Sequence, residues 1–266
     1  MRSTIVGLIK KALGIHHQSG VEPLQHMRQI GSHRHPYFVP EKLLNVDSIA
    51  YCIGAGEDIS FDTELKILYD CTVVILDPTP YGINHFDKLK DCTARGIRLT
   101  LDEGHLVPFT YRITARQLDD IRFLPIGVWS EKTVLRFHDP QMDNYASYSV
   151  VLFTDSDKVI EAPVDRLGAI LRSQGHDHVD LVKIEIEGAE YTVIDTIIED
   201  KLDIDLIVVE FDEVWNPRNI GFHFRIKRSC RKLRDAGYVM IHSTPQLKRS
   251  FLRRDLYETL KRAESA

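Results

Sequence analysis

Two runs in this 266-residue chain set chemically capable side chains where strands end. The first is Ile53-Gly54-Ala55-Gly56-Glu57-Asp58, and 21 positions after Gly56 stands Asp77, in Ile75-Leu76-Asp77-Pro78. Two glycines allow a tight turn and a close backbone approach to a ligand, and a carboxylate at the tip of the next strand can accept both hydroxyls of a ribose. The spacing points to a nucleoside site; the plainer alternative is a structural turn with a capping aspartate. The second run is Lys183-Ile184-Glu185-Ile186-Glu187-Gly188-Ala189-Glu190, followed later by Val208-Val209-Glu210-Phe211. Its carboxylates stand at or near strand ends, the edge at which open α/β sheets bind ligands.

What is missing helps choose the nucleoside. A dinucleotide site wants a third glycine, but Ile59 stands there, and Glu57 and Asp58 would put two carboxylates beside a pyrophosphate. That arrangement argues against an NAD-dependent oxidoreductase, which is kept as the enzyme alternative. S-adenosylmethionine has the same ribose and adenine without phosphate, and offers an ammonium and a sulfonium that acidic walls attract. Charge by region agrees: the net −5 divides into +3 over residues 1–50, −17 over 51–217 and +9 over 218–266. An acidic middle argues against nucleic acid crossing it, while the basic end leaves an anionic partner open.

These residues need elements to position them. From residue 48, β-type runs alternate with helical ones, the pattern of a mainly parallel sheet covered on both faces. Strands are expected at Ser48–Ile53, Thr72–Leu76, Ile121–Ile126, Val179–Ile186 and Asp205–Phe211. Helices are expected at Phe61–Tyr69, Ile83–Cys92, Val164–Ser173, Ala189–Glu199 and Arg218–Ala236. Val134–His138, Tyr148–Phe153 and Lys158–Glu161 read as a small β insertion. Tyr238–Ser243 and Lys248–Arg253 are joined too closely for a crossover helix, so they should pair antiparallel. Such a pair is the usual difference between a methyltransferase sheet and a dinucleotide sheet. Residues 1–47 read as an appendage, 48–254 as the main domain and 255–266 as a basic helix. In the first segment Ile5, Leu8, Ile9, Ala12 and Leu13 form an amphipathic stripe, suited to packing on the domain or a twin subunit, with membrane-surface contact as the alternative. His16, His17, His26, His33 and His35 could bind a metal, but their irregular spacing reads as a surface loop.

With these runs in view, the chain resembles the FkbM family of S-adenosylmethionine-dependent methyltransferases. The resemblance rests on Tyr51 to Asp62, Asp77-Pro78-Thr79-Pro80, Pro125-Ile126-Gly127-Val128-Trp129-Ser130, Lys183 to Glu190 and Val208 to Phe211. It implies a Rossmann-like class I methyltransferase fold: a mainly parallel seven-stranded sheet with an antiparallel C-terminal strand and a β insertion between strands 3 and 4. It also implies transfer of a methyl group to oxygen, commonly a hydroxyl of a sugar or glycosylated natural product. Gly54, Ala55 and Gly56 would then pass beneath the methionine portion, Glu57 hold its ammonium, Asp77 the ribose, and Ile126 and Gly127 flank the adenine. Glu185 or Glu210 is the expected proton acceptor.

Glu185, Glu187 and Glu210 together could hold a divalent metal, though a metal-free site is favoured. Glu187 could equally cap the next helix, and Glu210 could lie in a solvated loop with Asp212 and Glu213. Trp215 and Tyr145 are candidates to stack on a sugar. The basic tail, with Lys248, Arg249, Arg253, Arg254, Lys261 and Arg262, could meet an anionic glycan, a diphosphate-linked carrier or a membrane surface, or form a solvated helix face. Four scattered cysteines and no long apolar run suggest a soluble protein of a reducing, cytoplasmic compartment. A non-catalytic methyltransferase-fold binding module is the alternative from another class.

Overall fold

The computed structural model describes residues 16–102, 107–138, 159–211 and 221–265. The expected helix around Ile5 to Leu13, the expected strand Tyr148–Phe153, and Tyr145, Asp212, Glu213 and Trp215 lie outside them. In chain order the strands are β1 (Met27–Ile30), β2 (Tyr37–Pro40), β3 (Ile49–Ile53), β4 (Thr72–Leu76), β5 (Thr100–Leu101), β6 (Phe109–Thr110) and β7 (Arg122–Leu124). They continue as β8 (Gly127–Val128), β9 (Thr133–His138), β10 (Val159–Asp165), β11 (His178–Ile184), β12 (Asp203–Glu210), β13 (Tyr238–Ser243) and β14 (Lys248–Arg253). The helices are α1 (Ser60–Tyr69), α2 (Pro80–Ala94), α3 (Ala115–Asp119), α4 (Leu167–Ser173), α5 (Glu190–Glu199), α6 (Phe222–Asp235) and α7 (Arg254–Glu264).

Seven strands form the main sheet in the order β7-β4-β3-β11-β12-β14-β13. All run parallel except β14, which is antiparallel to both neighbours, as the short link between the last two strands requires. Central strands are covered on both faces, so they read as continuous Val, Ile and Leu. Alternation along each strand divides the core. Ala50, Cys52, Val73, Ile75, Leu181 and Val208 face one layer, and Tyr51, Ile53, Val74, Leu76, Val182 and Val209 the other. Local chemistry starts the helices: Thr79 accepts from the Gly82 N–H with Pro80 in the first turn of α2, and Thr114 with Gln117 makes a capping box on α3.

Beyond shifts of a few residues at element ends, three features differ from expectation. The helix sought from Val164 begins at Leu167, because Val159–Asp165 pairs with β9 and β8 in a separate three-stranded sheet. The third strand of the main sheet is only Arg122–Leu124; Gly127 has left it and pairs with Val164. The histidine-rich segment is not a plain loop, since β1 and β2 form an antiparallel hairpin with Ile30 opposite Tyr37. Ile30, Tyr37 and Val39 are fully buried with the main core, and Ser250 Oγ donates to the Phe38 carbonyl at 2.7 Å. The link between β1 and β2 is tied to the start of α1. Gly31 N–H donates to Glu64, Ser32 N–H to Ser60 and Ser32 Oγ to Asp58, each at 2.7 Å.

At the C-terminal edge of the sheet β3 ends in Gly54, held at φ +90°, where a Cβ would lie 1.8 Å from the Glu185 carbonyl oxygen. Gly54→Ala is therefore expected to cost more than about 3 kcal/mol, from left-handed strain plus a backbone clash. A urea midpoint within error of wild type would contradict this geometry.

Candidate active site

The glycine turn is built by backbone bonds to both neighbouring strands. Gly54 N–H donates to the Leu76 carbonyl at 2.9 Å, and Glu185 N–H donates to the Ile53 carbonyl at 3.0 Å. Asp77 closes the turn: its Oδ2 accepts from the Ala55 and Gly56 N–H groups at 2.8 and 2.9 Å, and its Oδ1 from Thr79 N–H at 2.7 Å. It is buried, and Gly82 packs so closely that a Cβ there would lie 2.6 Å from its carboxylate. The turn-holding role that the sequence leaves open is thus what its contacts display.

Lys183 sits beneath the turn, 1% exposed. Its ammonium donates to the Gly54 carbonyl at 3.0 Å and lies 3.1 Å from Glu185 Oε2 and 3.7 Å from Asp62. Burial works against its charge, but Asp62 and Glu185 outweigh that and raise its pKa. Glu185 also accepts from the Tyr37 hydroxyl at 2.8 Å and meets His35 Nδ1 at 2.9 Å. Glu210, at the end of β12, pairs with the buried Lys248 ammonium, which lies 4.4 Å from the centre of the Tyr37 ring. His35 Nδ1 is 3.9 Å from Glu210, so the two carboxylates converge on one imidazole.

The environments of these groups differ. Burial pushes Glu185 up, but the charges of Lys183, Lys248 and His35 hold it well below the usual carboxylate range. Burial and the charge of Glu185 push Glu210 up, against His35 and Lys248. Burial would lower His35, yet the charge and hydrogen bond of Glu185 carry it up to about 9. Burial, then the two carboxylates, raise the Tyr37 hydroxyl well above its ordinary value.

The expected metal set is not what converges. Among the described residues the donors at this site within 4.8 Å of one another are His35, Glu185 and Glu210, without Glu187. Both carboxylates already carry a lysine ammonium, a donor set that does not fit a divalent cation. Glu190, at the start of α5, accepts from the Ile186 and Gly188 N–H groups of the preceding turn, while Glu187 takes a positive φ of 54°. Sequence reasoning missed His35, Tyr37 and Lys248. Lys183, two residues before Glu185 in an otherwise apolar strand, was the signal available for a buried ion pair.

The glycine turn fits a nucleoside cofactor. At Gly56, φ +50°, a Cβ would have nothing within 4 Å, so the backbone there borders open space at the sheet edge. Glu57 beside it is exposed, whereas Asp58 is engaged by Ser32 and Ser60. Ile126 is half-buried and Gly127 buried against Val164 and Pro78.

A parallel sheet whose antiparallel strand β14 lies inside β13, with a glycine turn after its first strand and carboxylates along the same edge, defines a class I methyltransferase rather than a dinucleotide oxidoreductase. The model of the methyltransferase FkbM domain matches residues 17–240, and the chain belongs to that family, whose cofactor is S-adenosylmethionine. Similar solved structures include the fibrillarin pre-rRNA processing protein of Methanococcus jannaschii, at 9% identity and TM-score 0.40, with 79% of this chain and 68% of that one covered. The precorrin-6y C5,15-methyltransferase of Geobacter metallireducens has 13% identity and TM-score 0.38, with 79% and 82% covered. TrmK of M. capricolum in complex with S-adenosylhomocysteine has 10% identity and TM-score 0.38, with 80% of this chain and 65% of that one covered. No curated protein matches the sequence.

Removing the Lys183 ammonium would leave Glu185 and Asp62 as buried carboxylates without it. Lys183→Met is expected to destabilise the protein by about 3–5 kcal/mol in equilibrium urea unfolding. A loss under about 1 kcal/mol would mean that the lysine is not the anchor of this cluster.

Proposed function

We propose that this protein methylates a hydroxyl of a sugar, in a polysaccharide, glycolipid or glycosylated natural product, with S-adenosylmethionine as donor. The observation that carries the reading is the His35–Glu185 pair beside the glycine turn. Nδ1 lies 2.9 Å from the Glu185 carboxylate, which leaves Nε2 as the nitrogen to meet the acceptor hydroxyl. An imidazole so oriented accepts a proton at Nε2 as an alcohol becomes a nucleophile.

When bound, the cofactor supplies an electrophilic methyl group on sulfonium. The chain's part is to bind and orient both reactants and remove the hydroxyl proton. Gly54, Ala55 and Gly56 form the floor of the cofactor site, Glu57 faces the ammonium, Asp77 serves the ribose, and Ile126 and Gly127 the adenine. The proton passes to His35 Nε2. Glu185 stabilises the imidazolium, and Glu210 provides a second negative charge nearby. This gives the two glutamates expected as bases an electrostatic and orienting role. The four free cysteines support a reducing, cytoplasmic setting, and no described helix is long and apolar enough to cross a membrane.

Titration calorimetry with S-adenosylhomocysteine should show binding that Asp77→Ala weakens by about 1.5–3 kcal/mol. Binding unchanged by that substitution would remove Asp77 from the site, and binding without turnover on any glycan would favour a non-catalytic module. Because the neutral imidazole is the working form, kcat/KM should rise with pH and level off near 9. Glu185→Gln should move that inflection down toward the ordinary imidazole value of about 6.5, and His35→Gln should lower the rate about 10²–10⁴-fold. A rate independent of pH from 7 to 10 (roughly the span of the titration) would assign the proton to another group.

A further inference from the structure

The molecule has a second cationic site on the other face of the sheet. Among the described residues the buried basic side chains are Lys66, Lys183, Lys248, His85 and Arg249. Lys66 has Asp70 at 2.9 Å, Lys183 has Glu185 at 3.1 Å, and Lys248 has Glu210. His85 escapes the cost of buried charge by losing it, since burial pushes it down to about 4. Arg249 does neither. A guanidinium stays protonated, and this one is 6% exposed; among the described residues no carboxylate lies within ion-pair distance of it and its Nε has no partner. What it touches is neutral: Nη1 donates to the Cys230 thiol, which burial raises in pKa, and Cζ lies 5.8 Å from the centre of the Phe211 ring.

Arg249 lines a cavity of about 180 Å³ between α6, β13 and the segment around residues 16–20. His223, Lys227, Cys230 and Arg234 face it from α6 at helical spacing. His16 and Ser19 close it from the other side, and no described residue lining it is acidic. The Arg234 guanidinium lies over Gly20, where a Cβ would come within 2.9 Å of Nη1. A buried charge is ordinarily paired, and here the guanidiniums of Arg249 and Arg234 and the Ser19 hydroxyl border a space large enough for a partner to Arg249.

We propose that this cavity is an anion site that binds a phosphoryl group, separate from the methyl-transfer site. Several cationic donors match a multiply charged tetrahedral oxyanion better than a singly charged carboxylate. Lys248 and Arg249 are consecutive on β14, so their side chains serve opposite faces of the sheet: one the Glu210 cluster, the other this cavity. The basic C-terminal region thus has a specific point at which an anion would enter, while Arg253 is already engaged by Asp203, Asp205 and Asp255.

The test is thermal unfolding of the full chain at constant ionic strength with phosphate, pyrophosphate, glucose 1-phosphate or acetate. Phosphoryl compounds should raise Tm saturably and acetate should not. Arg249→Met should unfold at a higher Tm than wild type without ligand, because an uncompensated buried charge is gone, and should lose the phosphate response. Arg234→Ala, at the exposed rim, should keep the basal Tm and weaken the apparent affinity by roughly tenfold. Tighter binding of glucose 1-phosphate than of phosphate would assign the group to a phosphorylated sugar; equal binding would assign it to the free ion, and both support the site. The proposal fails if wild type shows no phosphate-dependent rise, if acetate is as effective, or if both variants respond as wild type does. S-adenosylhomocysteine binding, measured on the same samples, reads the other site independently.

Discussion

Most of the candidate site depends on one buried ammonium. Lys183 lies on the central strand β11, and its Nζ reaches the Gly54 carbonyl, Glu185 and Asp62. A charge that deep is tolerated only when oxygens replace its water, and the oxygens present are the turn that would cradle a cofactor and the carboxylates of Glu185 and Asp62. One residue therefore couples backbone conformation to side-chain chemistry. With Lys183 in place Glu185 stays ionised, and an ionised Glu185 is what carries His35 upward in pKa.

The cluster is also balanced across the sheet edge. Glu210 draws Lys248 from β14, and Tyr37 lies between the lysines, its hydroxyl on the carboxylates and its ring near both ammoniums. Tyr37 and His35 come from the β1–β2 hairpin, which lies outside the main sheet yet packs on its core. The methyltransferase sheet supplies the acidic edge with its pairing lysines, and the hairpin adds an imidazole and a phenol that join both carboxylates.

Asp77 illustrates a related economy. Its carboxylate takes three backbone N–H groups, two of them from the glycine turn itself. A carboxylate has about four lone-pair sites, so shaping the turn and meeting a ribose hydroxyl draw on the same small set. On the proposed assignment of Asp77 to the ribose, cofactor affinity and turn geometry are linked through a single side chain.

Sequence alone determined the alternation of strands and helices, the antiparallel final pair and the glycine–Asp77 spacing, because each is written in local periodicity or in a link too short for a crossover. Thr72–Leu76, Tyr238–Ser243 and Lys248–Arg253 appear with the bounds that pattern predicts. The Glu185 and Glu210 edge was legible for the same reason: strand ends collect ligand-facing residues. Tertiary structure decided which partners those carboxylates have. His35 and Tyr37 lie 148 or more positions from Glu185 and carry no periodic signal, so only folding reveals that they meet it. The same holds for Arg249: its type and charge are plain in the sequence, but its burial without a counter-ion among the described residues is a property of the packed molecule.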